Sequence, residues 1–309
     1  MADSMPPRVI LALTVGVLSF AFAPILVRWA NEAPGLTIAV WRTSTAALVM
    51  LPGLAYVHDE VRSFGWRDWG LILASGTALG AHFIAWIEAL YYTSVASASV
   101  LATTSPVFVA VLGYLVLRER LAWPVVGGIV VAVGGAALMG LTDAGAVAFG
   151  AEAWWGNLLA LSAALLVSIY LLIGRAIRQH VSWLAYLIPL YSVAALVTLL
   201  AAVGQGVPLV GYNPVVYACG IALALGPQVL GHSAFNVALQ HVPAALIGML
   251  ALLEPVGASI LAYVLFGEAP GEWSALGMVV VLAAVAFVVV YRSRSTAAHQ
   301  KEATDTRRA

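Results

Sequence analysis

Long apolar runs, broken by short polar or turn-forming stretches, make up almost the whole chain. They lie near 8–30, 35–57, 68–92, 95–117, 123–141, 154–176, 183–205, 214–239, 243–266 and 273–291. Each is close to the ~20 residues that an α-helix needs to cross ~30 Å of hydrocarbon. Helices are predicted because a helix satisfies its own backbone hydrogen bonds in lipid. A transmembrane barrel needs short segments of alternating hydrophobicity, and these runs are too long and too uniformly apolar. The connections are short, so neighbouring helices are expected to be antiparallel. The third-to-fourth connection, around Thr93-Ser94, is little more than a turn. The first run imitates a signal peptide, with Arg8 ahead of it and Ala21-Phe22-Ala23 resembling a cleavage site. The internal repeat described below argues against cleavage.

Composition agrees with the pattern. Of 309 residues 62% are hydrophobic and 9% charged, against ~25% charged in an average soluble domain. A soluble domain of this size needs more polar surface, and so apolar a chain is not disordered. Cys219 is the single cysteine, which excludes a disulfide scaffold. Net charge is zero, with no basic patch outside the C-terminal tail, which speaks against a nucleic-acid partner. What remains is a polytopic membrane protein whose partner is the bilayer.

The basic residues suggest an orientation. With the N-terminus inside and the runs counted alternately, Arg8, Arg62, Arg67, Arg118, Arg120, Arg175, Arg178, Arg292, Arg294, Lys301, Arg307 and Arg308 all fall inside. The outside connections hold Glu32, Asp143, Glu152, Glu268 and Glu272 and no Lys or Arg. By the positive-inside rule both termini are cytoplasmic. An excess of Arg over Lys, with much Ala and Gly, suggests a GC-rich bacterial gene and hence an inner membrane. The polar tail 293–309 is expected to be disordered.

The chain repeats itself at an offset of 149: Pro106 matches Pro255, Tyr114 matches Tyr263, Glu119 matches Glu268 and Gly128 matches Gly277. About fifteen positions between residues 85 and 137 are identical to their counterparts. The unit is five helices, an odd number, so the second copy is expected upside down. The loop Arg118-Glu119-Arg120 is inside, whereas its copy Gly267-Glu268-Ala269 has lost both arginines and is outside. The expected fold is therefore all-α and integral to the membrane, with ten transmembrane helices as two inverted five-helix repeats, 1–142 and 150–292. Inverted repeats place a substrate site near the bilayer midplane between the halves. Removing the first helix would leave nine and spoil that symmetry.

Several stretches resemble the EamA family of the drug/metabolite transporter superfamily. Ala89-Leu90-Tyr91-Tyr92-Thr93-Ser94-Val95-Ala96, Thr104-Ser105-Pro106 and Arg118-Glu119-Arg120-Leu121 resemble its first-copy signature. Leu253-Glu254-Pro255-Val256 and Gly267-Glu268 resemble the second, and Trp41-Arg42 before an Ala/Leu run also fits. Helices six and seven depart most, with Tyr191-Ser192 standing where Trp41-Arg42 would repeat, so Arg42 has no symmetric partner. The resemblance implies ten helices, a central cavity and export of small metabolites or drugs.

Polar residues at membrane depth are expensive and tend to line pathways. In the eighth run Gln228, His232 and Asn236 follow at i, i+4, i+8 after Pro227, which predicts one polar face on a kinked helix. That face suits a cavity wall; interhelical bonding is the alternative. His82 and Trp86 share a face of the third run, and His82 aligns one position from His232. Histidine can relay protons, and Trp offers a flat surface to an aromatic or cationic solute. Glu254, beside Pro255 in the ninth run, either carries a coupling proton or bonds a carbonyl freed by the proline. Arg42 lies too deep to snorkel easily and suits a substrate carboxylate or Glu254. Arg28 can reach the surface or Glu32, and Glu88 sits near Tyr91 and Tyr92 as a gate or an interfacial residue. Gly127-Gly128 and Gly134-Gly135 allow close helix contact.

No phosphate-binding Gly-Lys loop, Ser/His/Asp set or zinc-protease motif is present. No cofactor, metal or enzymatic role is expected. The functional expectation is a secondary transporter, an exporter of a small metabolite such as an amino acid or amphipathic cation. It would bind its solute between Arg42, His82, Trp86, Gln228, His232 and Asn236, with His82, His232 and Glu254 as proton-coupling candidates. The alternatives are a proton-independent facilitator and a non-transporting membrane scaffold or receptor.

Overall fold

A computed structural model describes residues 6–93, 98, 101–102, 104–143, 151–267 and 269–308, with the side chains of 8, 140–143, 151–152, 292–294 and 296–308 excepted. Among the described residues there is no strand. Eight helices are long and apolar enough to cross a membrane: α1 (Val9–Trp29), α2 (Gly35–Arg62), α3 (Trp66–Tyr92), α6 (Ala153–Ile177), α7 (Trp183–Gly204), α8 (Pro214–Leu239), α9 (Ala244–Phe266) and α10 (Glu272–Tyr291). Two shorter apolar helices, α4 (Ser105–Leu117) and α5 (Trp123–Met139), complete the set. The connection expected at Ser94, and Thr103 and Glu268, lie outside the described residues.

Helix starts follow local chemistry. Prolines occupy or flank them at Pro7, Pro34, Pro106, Pro214 and Pro243, where a missing N–H costs nothing. Ser182 and Asn213 cap α7 and α8 by accepting from the amides of Ala185 and Val215. Inside the runs the regularity breaks. Turn residues Ala21 and Phe22 separate the halves of α1 just ahead of Pro24, and Leu51–Gly53 is a 3-10 turn around Pro52 within α2. In α8 a π-helical stretch, Ala224–His232, surrounds Pro227. The tail, expected to be disordered, instead continues α10 as helix to Arg308. It holds neither Gly nor Pro beyond Gly277, and its Ala, Gln, Lys, Glu and Arg are good helix formers.

The packing respects the repeat. α3 packs on α6 as α8 packs on α1, α7 on α3 as α2 on α8, and α4 on α6 as α9 on α1. The pairs α2–α7, α4–α9 and α5–α10 join each helix to its own counterpart. Backbone conformation repeats as well: Arg118, the described non-glycine with positive φ (55°), stands 149 residues before Gly267 (φ 70°). Both end their helices in the left-handed conformation.

Polar contacts gather the connections into two groups. In one, Glu60 accepts from the Ser182 amide (2.6 Å), His180 pairs with Asp68 (2.9 Å) and Arg175 with Glu119 (3.0 Å). Arg175 also donates to Leu239 O (2.6 Å), and Arg178 to Gln240 Oε1 (3.2 Å). In the other, Tyr91 donates to Ala33 O (2.7 Å), Thr93 to Asn157 Oδ1 (2.9 Å), and Thr37 and Trp41 to Pro208 O and Leu209 O (both 2.9 Å).

Candidate functional site

A cavity of about 80 Å³ lies among α1, α2, α3, α4, α6, α8 and α9. Such a space holds a few waters and is far below the ~300 Å³ of a drug-sized pocket. Its wall pairs repeat-equivalent positions: Ala102 with Ala251, Ser105 with Glu254, Phe83 with His232, and Trp86 with Phe235. All eight border it, together with Arg42 and His82. Phe20 and Pro24 of the broken first helix close one side. Gly231 makes that approach possible, since a Cβ there would stand 2.8 Å from the Phe20 ring.

Arg42 is 2% exposed. Its Nε donates to Gln228 Oε1 (3.2 Å), and its guanidinium lies 3.8 Å from the Phe83 ring centroid. The ring face stabilises the desolvated cation, and the remaining guanidinium donors are available to an anionic group in the cavity. Arg42 and Glu254 share this wall without a direct ion pair between them. At the strict offset of 149 Trp41-Arg42 falls on Leu190-Tyr191, one position before the expected Tyr191-Ser192, so the counterpart of Arg42 is Tyr191; Tyr191 donates to Gln228 O (2.9 Å), and equivalent positions of the two copies meet on one residue.

His82 Nδ1 lies 2.8 Å from Ala163 O. A carbonyl only accepts, so Nδ1 carries the proton and Nε2 is left as the acceptor. His232 is packed edge-on between Phe20, Phe83 and Tyr170, at centroid distances of 5.0, 5.3 and 5.7 Å. Trp86 is 7% exposed and forms the wall beside Phe83.

The polar row of α8 does not line the cavity as one face. His232 borders it, whereas Gln228 and Asn236 are fully buried behind the wall. Asn236 Nδ2 donates to Tyr170 Oη and to His232 O (2.8 Å). Gln228 and His232 lie in the π-helical stretch around Pro227, and Asn236 in the α-helical segment that follows it. Glu88 and Arg28 are also outside the cavity. The Arg28 guanidinium stands 4.5 Å over the Phe266 ring. His82 and His232 gain no third Cys, Asp or Glu in a metal-ligating group among the described residues.

Sequence reading missed Phe20, Phe83, Phe235, Ser105, Tyr170 and Tyr191. Aromatic residues in an apolar helix offer no contrast against their neighbours. The repeat offered a signal for four of them: shifting His232, Trp86, Glu254 and Arg42 by 149 lands on Phe83, Phe235, Ser105 and Tyr191.

Comparison with known proteins bears on this arrangement. The model of the EamA-like transporter family matches residues 7–141 and again 154–290. YetK of Bacillus subtilis (strain 168), an uncharacterized transporter, is 27% identical over 115 residues, covering 37% of this chain and 35% of that protein. The match thus spans about a third of that relative's length. A solved crystal structure superposes with a TM-score of 0.79 at 18% identity, over 93% of this chain and 98% of that one, which shows a shared fold. The chain belongs to the EamA-like transporter family and is a multi-pass membrane protein with a duplicated domain.

Proposed function

We propose that this member of the EamA-like transporter family is a secondary transporter, with no enzymatic role, that exports a small metabolite such as an amino acid or an amphipathic cation. In this reading ten helices cross the bilayer as two inverted copies, 1–142 and 150–292. The pairwise packing of equivalent helices and the gathering of connections into two groups support it. The basic side chains of one group, Arg175 and Arg178 among them, favour placing that end in the cytoplasm of a bacterial inner membrane.

One observation carries the functional reading. Equivalent positions of the two copies converge on one cavity, and Arg42, His82, His232 and Glu254 all reach it. Arg42 holds an anionic group of the solute, and Trp86, Phe83 and Phe235 hold its apolar or cationic part. A cavity of about 80 Å³ is too small for most solutes, so it widens when the helices rock around their Gly and Pro positions. His82, His232 and Glu254 exchange the coupling proton. A non-transporting scaffold has no use for ionisable groups around a central space.

The test is uptake into vesicles holding the purified protein, with labelled amino acids and a cationic dye, with and without an imposed pH gradient. Protein-dependent flux that follows the gradient and is abolished in Arg42→Gln is expected. Flux indifferent to the gradient refutes proton coupling and leaves a facilitator; no flux of any probe refutes transport of these classes.

A further inference from the structure

Three fully buried polar atoms of α8 have no hydrogen-bond partner among the described residues: Gln228 Nε2, His232 Nδ1 and Asn236 Oδ1. They recur every four residues, from the level of Arg42 to that of Arg178, whose Nε donates to Asn236 O (3.0 Å). Of the three residues His232 alone borders the solute cavity. Buried polar atoms are seldom left unpaired, because desolvation is then uncompensated. The usual remedy is buried water held by two to four polar neighbours.

The surroundings supply such neighbours. Gly174 of α6 faces the unpaired oxygen closely: a Cβ there would stand 2.9 Å from Leu239 Cδ1, 3.2 Å from Asn236 Oδ1 and 3.5 Å from Tyr186 Oη. Tyr186 Oη is in turn 2.5 Å from Ser75 Oγ of α3. Further along, Tyr170 Oη accepts from Asn236 while its ring abuts His232. Beside Gln228, Tyr191 Oη lies 3.3 Å from Ser233 Oγ. The three tyrosines are fully buried, so their hydroxyls serve an interior layer.

We propose that buried water fills this row, forming a hydrated path beside the solute cavity that carries protons between the Arg178 end and His232. The proton-carrying role rests on the proton-coupled reading above; the water row does not. A water beside His232 Nδ1 gives the ring a proton and takes one from the water behind it. The last member is replenished from bulk water beside Arg178 and Gln240. Only O–H and N–H bonds exchange, and the charge that enters is the charge delivered. The titratable and charged groups around His232 are Arg42 from α2, His82 from α3, Tyr170 from α6, Tyr191 from α7 and Glu254 from α9. The path lets the coupling site exchange protons with one side while that end is closed to solute.

Radiolytic hydroxyl labelling in ¹⁸O-water tests the row directly, because buried side chains are labelled only beside ordered water. Labelling of Tyr170 and Tyr186 is expected in the wild type. It should fall about tenfold in Gly174→Ala, which crowds Asn236 Oδ1 without removing a polar group, the equivalent of ~1.4 kcal/mol of water binding. Asn236→Leu, which removes the unpaired oxygen, should give the same fall if Gly174→Ala folds poorly. Unlabelled tyrosines in the wild type, or labelling unchanged in both variants, overturn the proposal. In vesicles, Gly174→Ala should keep exchange of a labelled amino acid against itself and lose its response to a pH gradient. A variant that follows the gradient as the wild type does overturns the path. Wild-type flux that ignores the gradient overturns the earlier proton-coupled reading, and the labelling alone then decides the row.

Discussion

Adjacent glycines in α5 should respond to alanine in opposite directions. α5 and α10 pack face to face, and only one glycine of each pair lies in the contact. A Cβ on Gly128 would stand 2.2 Å from Val288 Cγ2, and one on Gly135 3.0 Å from Gly277 O. From the other side, a Cβ on Gly277 would stand 2.5 Å from Gly135 O. Gly127 and Gly134 have nothing within 4 Å of that position. Overpacking costs ~1–3 kcal/mol. Gly277→Ala belongs at the upper end, because the obstructing atom is backbone and cannot turn aside. Gly127→Ala and Gly134→Ala meet no obstacle and gain ~0.5–1 kcal/mol of helix propensity. Neighbouring variants should therefore differ by ~2–4 kcal/mol, with Gly128→Ala below the wild type and Gly127→Ala at or above it. Thermal unfolding of the four purified variants in one detergent, followed by tryptophan emission, reads this as a separation in Tm of several degrees. Equal Tm values for Gly127→Ala and Gly128→Ala would refute the close approach of α5 and α10.

Other expectations follow from single contacts. Arg118 holds a left-handed conformation that its counterpart Gly267 adopts freely; Arg118→Gly should raise stability by ~0.5–1 kcal/mol, and a fall in Tm would contradict the strain. Arg178, 3% exposed, donates to Asn236 O, Val181 O and Gln240 Oε1. Arg178→Met should cost ~3 kcal/mol at ~1 kcal/mol per lost bond, with Arg178→Lys recovering about a third; equal losses for both would show that the fork geometry is irrelevant. The Arg175–Glu119 pair is partly exposed (20% and 26%) and worth ~0.5–1 kcal/mol. Glu119→Gln should thus leave Tm nearly unchanged; a fall of several degrees would show that the pair is worth more than a partly exposed one.

How much of this was legible depends on what kind of contrast each feature makes. The apolar runs stand out because nearly all charge lies at their ends, and eight are found among the described residues as helices long and apolar enough to cross a membrane. The repeat was legible through Pro106, Tyr114, Glu119 and Gly128, residues too costly to match by chance in an apolar chain. Single-helix periodicity served less well. The i, i+4, i+8 spacing of Gln228, His232 and Asn236 says nothing of what stands opposite each: Gln228 and Asn236 are engaged by Arg42 and Tyr170, and only His232 meets the cavity. Buried tyrosines were invisible for another reason. Tyr170, Tyr186 and Tyr191 are as hydrophobic in composition as their neighbours, and only tertiary packing brings their hydroxyls to Asn236, Ser75 and Ser233. Pairing across the repeat would have recovered more of the cavity wall than pairing along any one helix.

The differences between the copies are where the chemistry sits. Equivalent positions carry Arg42 and Tyr191, Phe83 and His232, Ser105 and Glu254. Arg42 and His82 belong to the first copy, while Gln228, His232 and Glu254 belong to the second. The Arg42–Gln228 hydrogen bond crosses the copies, whereas Arg42 and the Phe83 ring it faces belong to the same copy. The same holds for charge. Moving a carboxylate from 4 to 8 Å from a guanidinium changes their attraction by roughly 2 kcal/mol at an effective dielectric of ~20. In the proton-coupled transport proposed above, a proton on Glu254 removes that attraction, so protonation bears on any movement that separates the two groups. In that proposal a strictly symmetric cavity, with tyrosine or arginine at both 42 and 191, would place like groups on both copies and lose this asymmetry.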